Sequence, residues 1–176
     1  GVSETFSWDE IVDRRLAIYA SLPTIWHAER ASAEDVVPLR TAVLRPGQTT
    51  PATYPEDAQA LHVAVYDDSA VIGVATAYAE APPPPLRGAL PEAAFAPGAA
   101  FRFRGMASAE TVRGQGVGAT VLRGVFREVR GAGGRFVWCN ARLGAAGFYE
   151  RMGMARVGPE FEIDGIGPHV VMWRAV

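Results

Sequence analysis

Apolar residues recur with helical spacing at the start of this chain and with strand spacing through its middle. Ser7-Trp8-Asp9-Glu10 reads as a capping box, in which Ser7 and Glu10 satisfy each other's backbone N–H groups. Trp8, Ile11, Val12, Leu16 and Tyr19 then share one face, predicting a helix that ends before Pro23. The run Val36 to Leu44 predicts a strand closed by Arg45-Pro46-Gly47, and residues 46–60 read as a loop with a short helix. Leu61 to Tyr66 and Ala70 to Tyr78 flank Asp67-Asp68-Ser69, the pattern of an antiparallel hairpin.

Residues 81–99 hold six of the 13 prolines and predict a long surface loop that adds no core element. Order returns with a strand over 101–107 and a glycine-rich turn. Val117, Val121, Val125 and Val129 then mark a helix over 117–130 with its stop at Gly131. A strand over 135–140 leads to a short helix ending at Gly153. Strands over 154–163 and 168–175 flank the turn Asp164-Gly165-Ile166-Gly167-Pro168. No internal repeat is found. Helix, strand, hairpin, then β–α–β–α–β–β defines an α/β or α+β class with a mixed sheet.

Composition narrows the function classes. Apolar residues make up 49% and charged residues 20% of the 176, ordinary values for a soluble globular domain. No apolar run approaches the roughly 20 residues that span a bilayer, and no secretory signal is read, so no membrane partner is expected. The single cysteine, Cys139, follows the strand-like Arg135-Phe136-Val137-Trp138 and reads as a buried structural thiol, which fits a cytoplasmic protein. All 17 basic residues are arginine, which excludes a Walker-type phosphate loop and lysine Schiff-base chemistry. A net charge of −2 and no basic stripe interleaved with aromatics argue against nucleic acid. Charge is nonetheless lopsided: residues 1–100 carry 6 Arg and 13 acids, whereas 101–176 carry 11 Arg and 6 acids. The basic half suits a polyanionic cofactor, and the acidic half suits either a cationic amine or plain solvation.

Arg113-Gly114-Gln115-Gly116-Val117-Gly118-Ala119 is where such a cofactor would sit. Glycines at a helix start let backbone N–H groups turn inward, and the helix dipole and Arg113 add positive charge for phosphate oxygens. Gly114-x-Gly116-x-x-Ala119 also fits the dinucleotide fingerprint. Its context differs from a dinucleotide fold, because Ser108 to Arg113 separate strand from glycine and the next strand ends in Asn140-Ala141-Arg142 without an acid. A glycine-rich helix entry with no ligand is the plain structural alternative.

Arg-x-x-Gly-x-Gly/Ala resembles the acetyl-CoA pyrophosphate motif of the GNAT N-acetyltransferase superfamily. The resemblance covers roughly residues 36–176, through "FRFRGMASAETVRGQGVGATVL" and "FVWCNARLGAAGFYERMGM", with "LRTAVLRPGQ" and "GIGPHVVM" similar to one subgroup. It implies a GNAT-like central mixed, mostly antiparallel sheet with splayed fourth and fifth strands, flanked by helices. Residues 1–35 then form an amino-terminal helical extension. It also implies acetyl-CoA as co-substrate, with no metal. Met106, Ala107 and Ser108 would meet pantetheine, and Arg113, Gly114, Gln115, Gly116, Val117, Gly118 and Ala119 the pyrophosphate. Asn140 would face the pantetheine amides or, on the plain reading, cap the next helix.

By the same resemblance, a small-molecule or protein amine attacks the thioester directly in a ternary complex. Tyr149 would protonate the leaving thiolate as a general acid, and backbone N–H groups near Met106 would hold the oxyanion. Relatives often place a glutamate on the fourth strand, yet this one reads Phe101-Arg102-Phe103-Arg104-Gly105-Met106. Glu80, His169 and His62 are the remaining candidates for the base. Arg40, Arg45 and Trp26 are candidates for the acceptor side, and Glu110 for support of the loop near Arg113. The rival reading is a non-catalytic acyl-CoA sensor or scaffold. The helical extension and proline-rich loop would cover the acceptor cleft or build a homodimer contact.

Overall fold

The computed structural model describes residues 7–21 and 24–176. Its helices are α1 (Trp8–Ser21), α2 (Ala33–Leu44), α3 (Val117–Gly131) and α4 (Ala146–Arg151). Its strands are β1 (Ala28–Ala31), β2 (Leu61–Asp67), β3 (Ala70–Ala79), β4 (Ala100–Ser108), β5 (Phe136–Arg142), β6 (Ala155–Ile163) and β7 (Gly167–Ala175). They form one seven-stranded sheet in the order β1-β2-β3-β4-β5-β7-β6. Every neighbouring pair is antiparallel except β4 and β5, which run parallel. The sheet takes in Ala28–Ala31, ahead of residue 36, because β1 pairs with β2.

Alternation along β2 and β3 assigns a helix to each face. Val63, Val65, Ala75 and Ala77 point to α3 and bury its Val117, Val121, Val125 and Val129. Full burial of each valine contributes roughly 1.5–3 kcal/mol. Gly73 sets how close that helix can lie: a Cβ there would meet Val117 Cγ1 at 2.5 Å. On the opposite face, Ala64, Val74 and Ala107 pack with Val36 of α2.

α2 corrects the strand expected over Val36 to Leu44. Val36, Val37, Thr41 and Val43 suggest a strand by their branched side chains. Ser32 and Asp35 decide otherwise, by a capping box in which Ser32 Oγ accepts from the Asp35 N–H and Asp35 accepts from the Ser32 N–H. The helix then runs through Pro38.

The proline-rich segment is likewise more than a surface loop. Short turns at Pro84–Leu86 and Glu92–Phe95 bury Leu86 and Leu90 against Ala100, Trp138, Val157 and Val171, a second core on the α2 side of the sheet. Prolines preset φ, so the segment orders at reduced entropic cost and can carry apolar anchors. The Trp138 indole N–H donates to the Glu80 carbonyl at 2.8 Å and fixes the entry of this segment.

α1 carries the expected Ser7–Glu10 capping box, with bonds of 2.8 and 3.3 Å. Its Trp8, Val12 and Leu16 remain exposed. The Tyr19 side chain and Pro23 lie outside the described residues.

Candidate active site

The parallel pairing of β4 with β5 stops at Arg102 and Trp138. From Phe103 to Ser108, β4 keeps a ladder partner only on β3, so the two strands part and a gap runs through the sheet. Gly105, at φ 63°, sits in a bulge where the β3–β4 register shifts. A Cβ on Gly105 would lie 2.6 Å from Arg40 Cδ, so both the left-handed backbone and the space require glycine. The bulge reverses alternation: Phe103 and Met106 both face α3, whereas Arg104 and Ala107 face the α2 side. The gap therefore has two mouths of different chemistry.

On the α3 side lies the glycine turn. Gly114 and Gly116 have φ of 77° and 84° with open space around each Cα, so backbone conformation alone selects glycine. Among the described residues, the N–H groups of Gly114, Gly116, Val117, Gly118 and Ala119 have no acceptor. Ser108, Arg113, Gly114, Gly116, Val117, Gly118 and Ala119 line this cleft together with Arg123, Phe148 and Arg151. Among the described residues it holds three guanidinium groups and no carboxylate. Arg123 and Arg151 are additions to the sequence-predicted set. Helical spacing was the available signal for Arg123, which follows Gly116 by two turns along α3. Gln115 points elsewhere, donating to the Thr111 carbonyl at 3.2 Å, while its own carbonyl accepts from the Trp26 indole at 3.1 Å. Trp26 thus braces the glycine turn and does not belong to the acceptor side. Glu110 opens the turn before it, accepting through its carbonyl from the Arg113 N–H.

The clefts meet where Met106 Cε and Phe148 would lie 3.5 and 3.7 Å from a Cβ on Gly118. Tyr149, edge-on to Phe148, reaches the gap with its hydroxyl 3.8 Å from the Met106 sulfur. Burial pushes the Tyr149 phenol above its ordinary value, so it stays protonated. The Cys139 thiol is raised by the same cause, stays neutral and packs in the main core. Asn140 lines the gap, and its Oδ1 is buried without a partner. Ala107 packs its side chain against α2, so any part it plays toward the gap is through its backbone.

On the α2 side the cleft of about 370 Å³ is lined by Tyr54, Arg102, Arg104, Arg142 and His169, with Leu44, Ile163 and Ile166 as its apolar rim. Arg142 and His169 are direct cross-strand partners on β5 and β7 and so project from one face. His169 is only 4% exposed, stacks on Phe161, and has Nδ1 2.7 Å from the Gly167 carbonyl. A carbonyl can only accept, so Nδ1 carries a hydrogen, and in the neutral ring the lone pair is on Nε2.

The other expected residues lie elsewhere. Glu80 lines neither cleft and forms an ion pair with Arg102 at 3.4 Å. His62 bonds Thr76 Oγ1 at 3.0 Å and the Asp57 carbonyl at 2.8 Å, leaving no ring nitrogen free. Arg40 is fully buried and spends its guanidinium on the Ala52 carbonyl, Thr76 and Asp57, and Arg45 donates to the Pro51 carbonyl. Arg40 is therefore not available to an acceptor, and Arg45 is not among the residues that line the cleft. No group of three or more potential metal ligands occurs among the described residues.

A sequence model of the acetyltransferase (GNAT) family matches residues 25–154. The uncharacterized N-acetyltransferase YitI of Bacillus subtilis (strain 168) is 34% identical over 148 residues, 82% of this chain and 93% of that protein. Among solved structures, Escherichia coli ElaA superposes with a TM-score of 0.63 at 17% identity, over 85% of this chain and 99% of its own. An aminoglycoside 6'-N-acetyltransferase complexed with coenzyme A gives 0.59 at 12% identity, over 84% and 96%.

Proposed function

The chain belongs to the acetyltransferase (GNAT) family and is an N-acetyltransferase, and from that premise we propose that it acetylates a primary amine by direct attack within a ternary complex. The family uses acetyl-CoA, and the residues of the α3-side cleft fit that molecule. Five N–H groups without acceptors and three arginines offer donors and charge to phosphates, and the orphaned Asn140 Oδ1 offers an acceptor to an amide N–H. The unpaired edge of β4 from Phe103 to Ser108 offers backbone groups to an extended arm.

Acetyl-CoA, when bound, supplies a thioester whose carbonyl carbon gains a C–N bond to the amine as its C–S bond breaks, giving an amide and a free thiol. Tyr149 holds the proton that the departing sulfur needs, and its raised pKa keeps that proton in place at neutral pH. His169 Nε2 receives the proton that the attacking amine loses. Solvent restores both residues to their starting states. Glu80 acts at one remove by holding Arg102. Opposed mouths bring two substrates to one gap from opposite faces of the sheet, which supplies positioning without covalent catalysis.

The single observation that supports this reading most strongly is the Tyr149 hydroxyl, aimed into the gap with no protein oxygen or nitrogen as its partner among the described residues. Release of free thiol from acetyl-CoA, followed with a panel of amines for the natural protein and for Tyr149→Phe, tests it. Amine-dependent release that falls in the variant is expected. Acetyl-CoA binding with no release for any amine would instead favour an acyl-CoA sensor.

A further inference from the structure

We propose that the acceptor amine carries an anionic group, recognised by Arg104 and Arg142 on the α2 side of the gap. This rests on the acetyltransferase reading above and specifies its substrate class.

The described residues lining that cleft include three arginines and no carboxylate. Arg102 has its charge met by Glu80 and lies 5.2 Å over the Trp138 ring, although its Nε is buried without a partner. Arg104 and Arg142 differ. Neither has a carboxylate within ion-pair distance among the described residues. Arg104 is held in place by stacking, its guanidinium 3.8 Å from the centroid of Tyr54. The Tyr54 ring also lies 4.1 Å from the guanidinium of Arg40, whose own charge is neutralised by Asp57. Tyr54 is therefore a fixed plate that orients Arg104 and supplies no counter-charge.

Desolvation of the half-buried Arg104 is outweighed by the Tyr78 and Tyr54 side chains beside it, which hold it charged without supplying a carboxylate, and its planar fork suits carboxylate or phosphate oxygens. Arg142, opposite His169 on the neighbouring strand, places a second cation beside the proposed base. An anion held between the arginines would leave the amine end of the same molecule near His169 and the gap. Leu44, Ile163 and Ile166 give apolar walls to the carbon chain between the two ends. The same field disfavours polyamines and other polycations, since no acid among the described lining residues would receive a second ammonium. The anion takes no part in bond making.

Matched acceptor pairs test this directly. Glycine against glycinamide, β-alanine against its amide and 4-aminobutyrate against its amide probe a carboxylate. Phosphoethanolamine against ethanolamine probes a phosphate, and spermidine is the cationic control. For at least one pair, kcat/KM should be ten or more times higher for the anionic member, and which pair responds identifies the anion. Arg104→Gln and Arg142→Gln should each collapse that ratio toward one, while thermal stabilisation by acetyl-CoA stays as in the natural protein. Equal use of neutral and anionic members, preference for spermidine, or no transfer to any anionic amine while acetyl-CoA still binds would overturn the proposal. Failure of acetyl-CoA to stabilise the protein would overturn the reading beneath it, a separate result.

Discussion

The Tyr149 hydroxyl lies 3.8 Å from the Met106 sulfur, across the seam where α4 faces the unpaired edge of β4. A thioether is a weak acceptor, so a thiolate arriving in the gap would take over that hydrogen bond readily. Tyr149→Phe removes the hydroxyl and leaves the ring contacts to Phe103 and Phe148 intact. We expect kcat to fall about a hundredfold with the Kd for acetyl-CoA within twofold. Steady-state kinetics alongside calorimetry checks both halves.

The same residue sets a pH expectation. A general acid works only while protonated, and burial raises the Tyr149 pKa above that of an ordinary phenol, about 10. Any loss of kcat through Tyr149 ionisation must therefore have its midpoint above pH 10. A kcat profile for the natural protein with an alkaline limb below pH 10 that vanishes in Tyr149→Phe would contradict that assignment.

Much of this candidate site is legible in the amino-acid sequence. The glycine turn, the Phe148-Tyr149 pair and Asn140 all lie on the elements that periodicity and motif spacing predicted, because each depends on local chain geometry. What stayed hidden depends on contacts distant in sequence. Arg40 looked like a substrate ligand because its partners, Asp57 and Thr76, come from a loop and a strand that only the sheet brings to α2. Arg104 and Arg142 were invisible as a pair, since a bulge on β4 and the register of β5 with β7 decide where they point. Leu86 and Leu90 vanished among prolines for the same reason: their burial is against Trp138 and Val171.

Gly116→Ala tests the turn. With φ at 84° a Cβ is strained by roughly 1–2 kcal/mol, although nothing lies within 4 Å of it. Relieving that strain by backbone rotation would turn away the N–H groups at the start of α3. Calorimetry should show acetyl-CoA binding weakened about tenfold.

Asp57 gives an acid-stability prediction. Burial alone would raise its carboxyl, but hydrogen bonds from Arg40 and the Tyr54 N–H, with the Arg40 charge, outweigh that and hold it below the usual range. A depressed pKa contributes stability above the unfolded value, near 3.9, that is lost as pH falls through the folded one. Asp57→Ala strands Arg40 and should cost roughly 3–5 kcal/mol near neutrality. Denaturant midpoints measured from pH 7 down to pH 2 should fall less steeply below pH 4 for this variant than for the natural protein.

Thermal unfolding with and without acetyl-CoA, with NAD as the control, tests the central claim most directly. At a hundredfold excess over Kd, a ligand that binds only the folded state adds about 2.7 kcal/mol, or roughly 5–10 °C for a chain of this size. Stabilisation of that order by acetyl-CoA, none by NAD, and a reduced effect in Gly116→Ala is the predicted result. No shift with millimolar acetyl-CoA, or an equal shift with NAD, would contradict it.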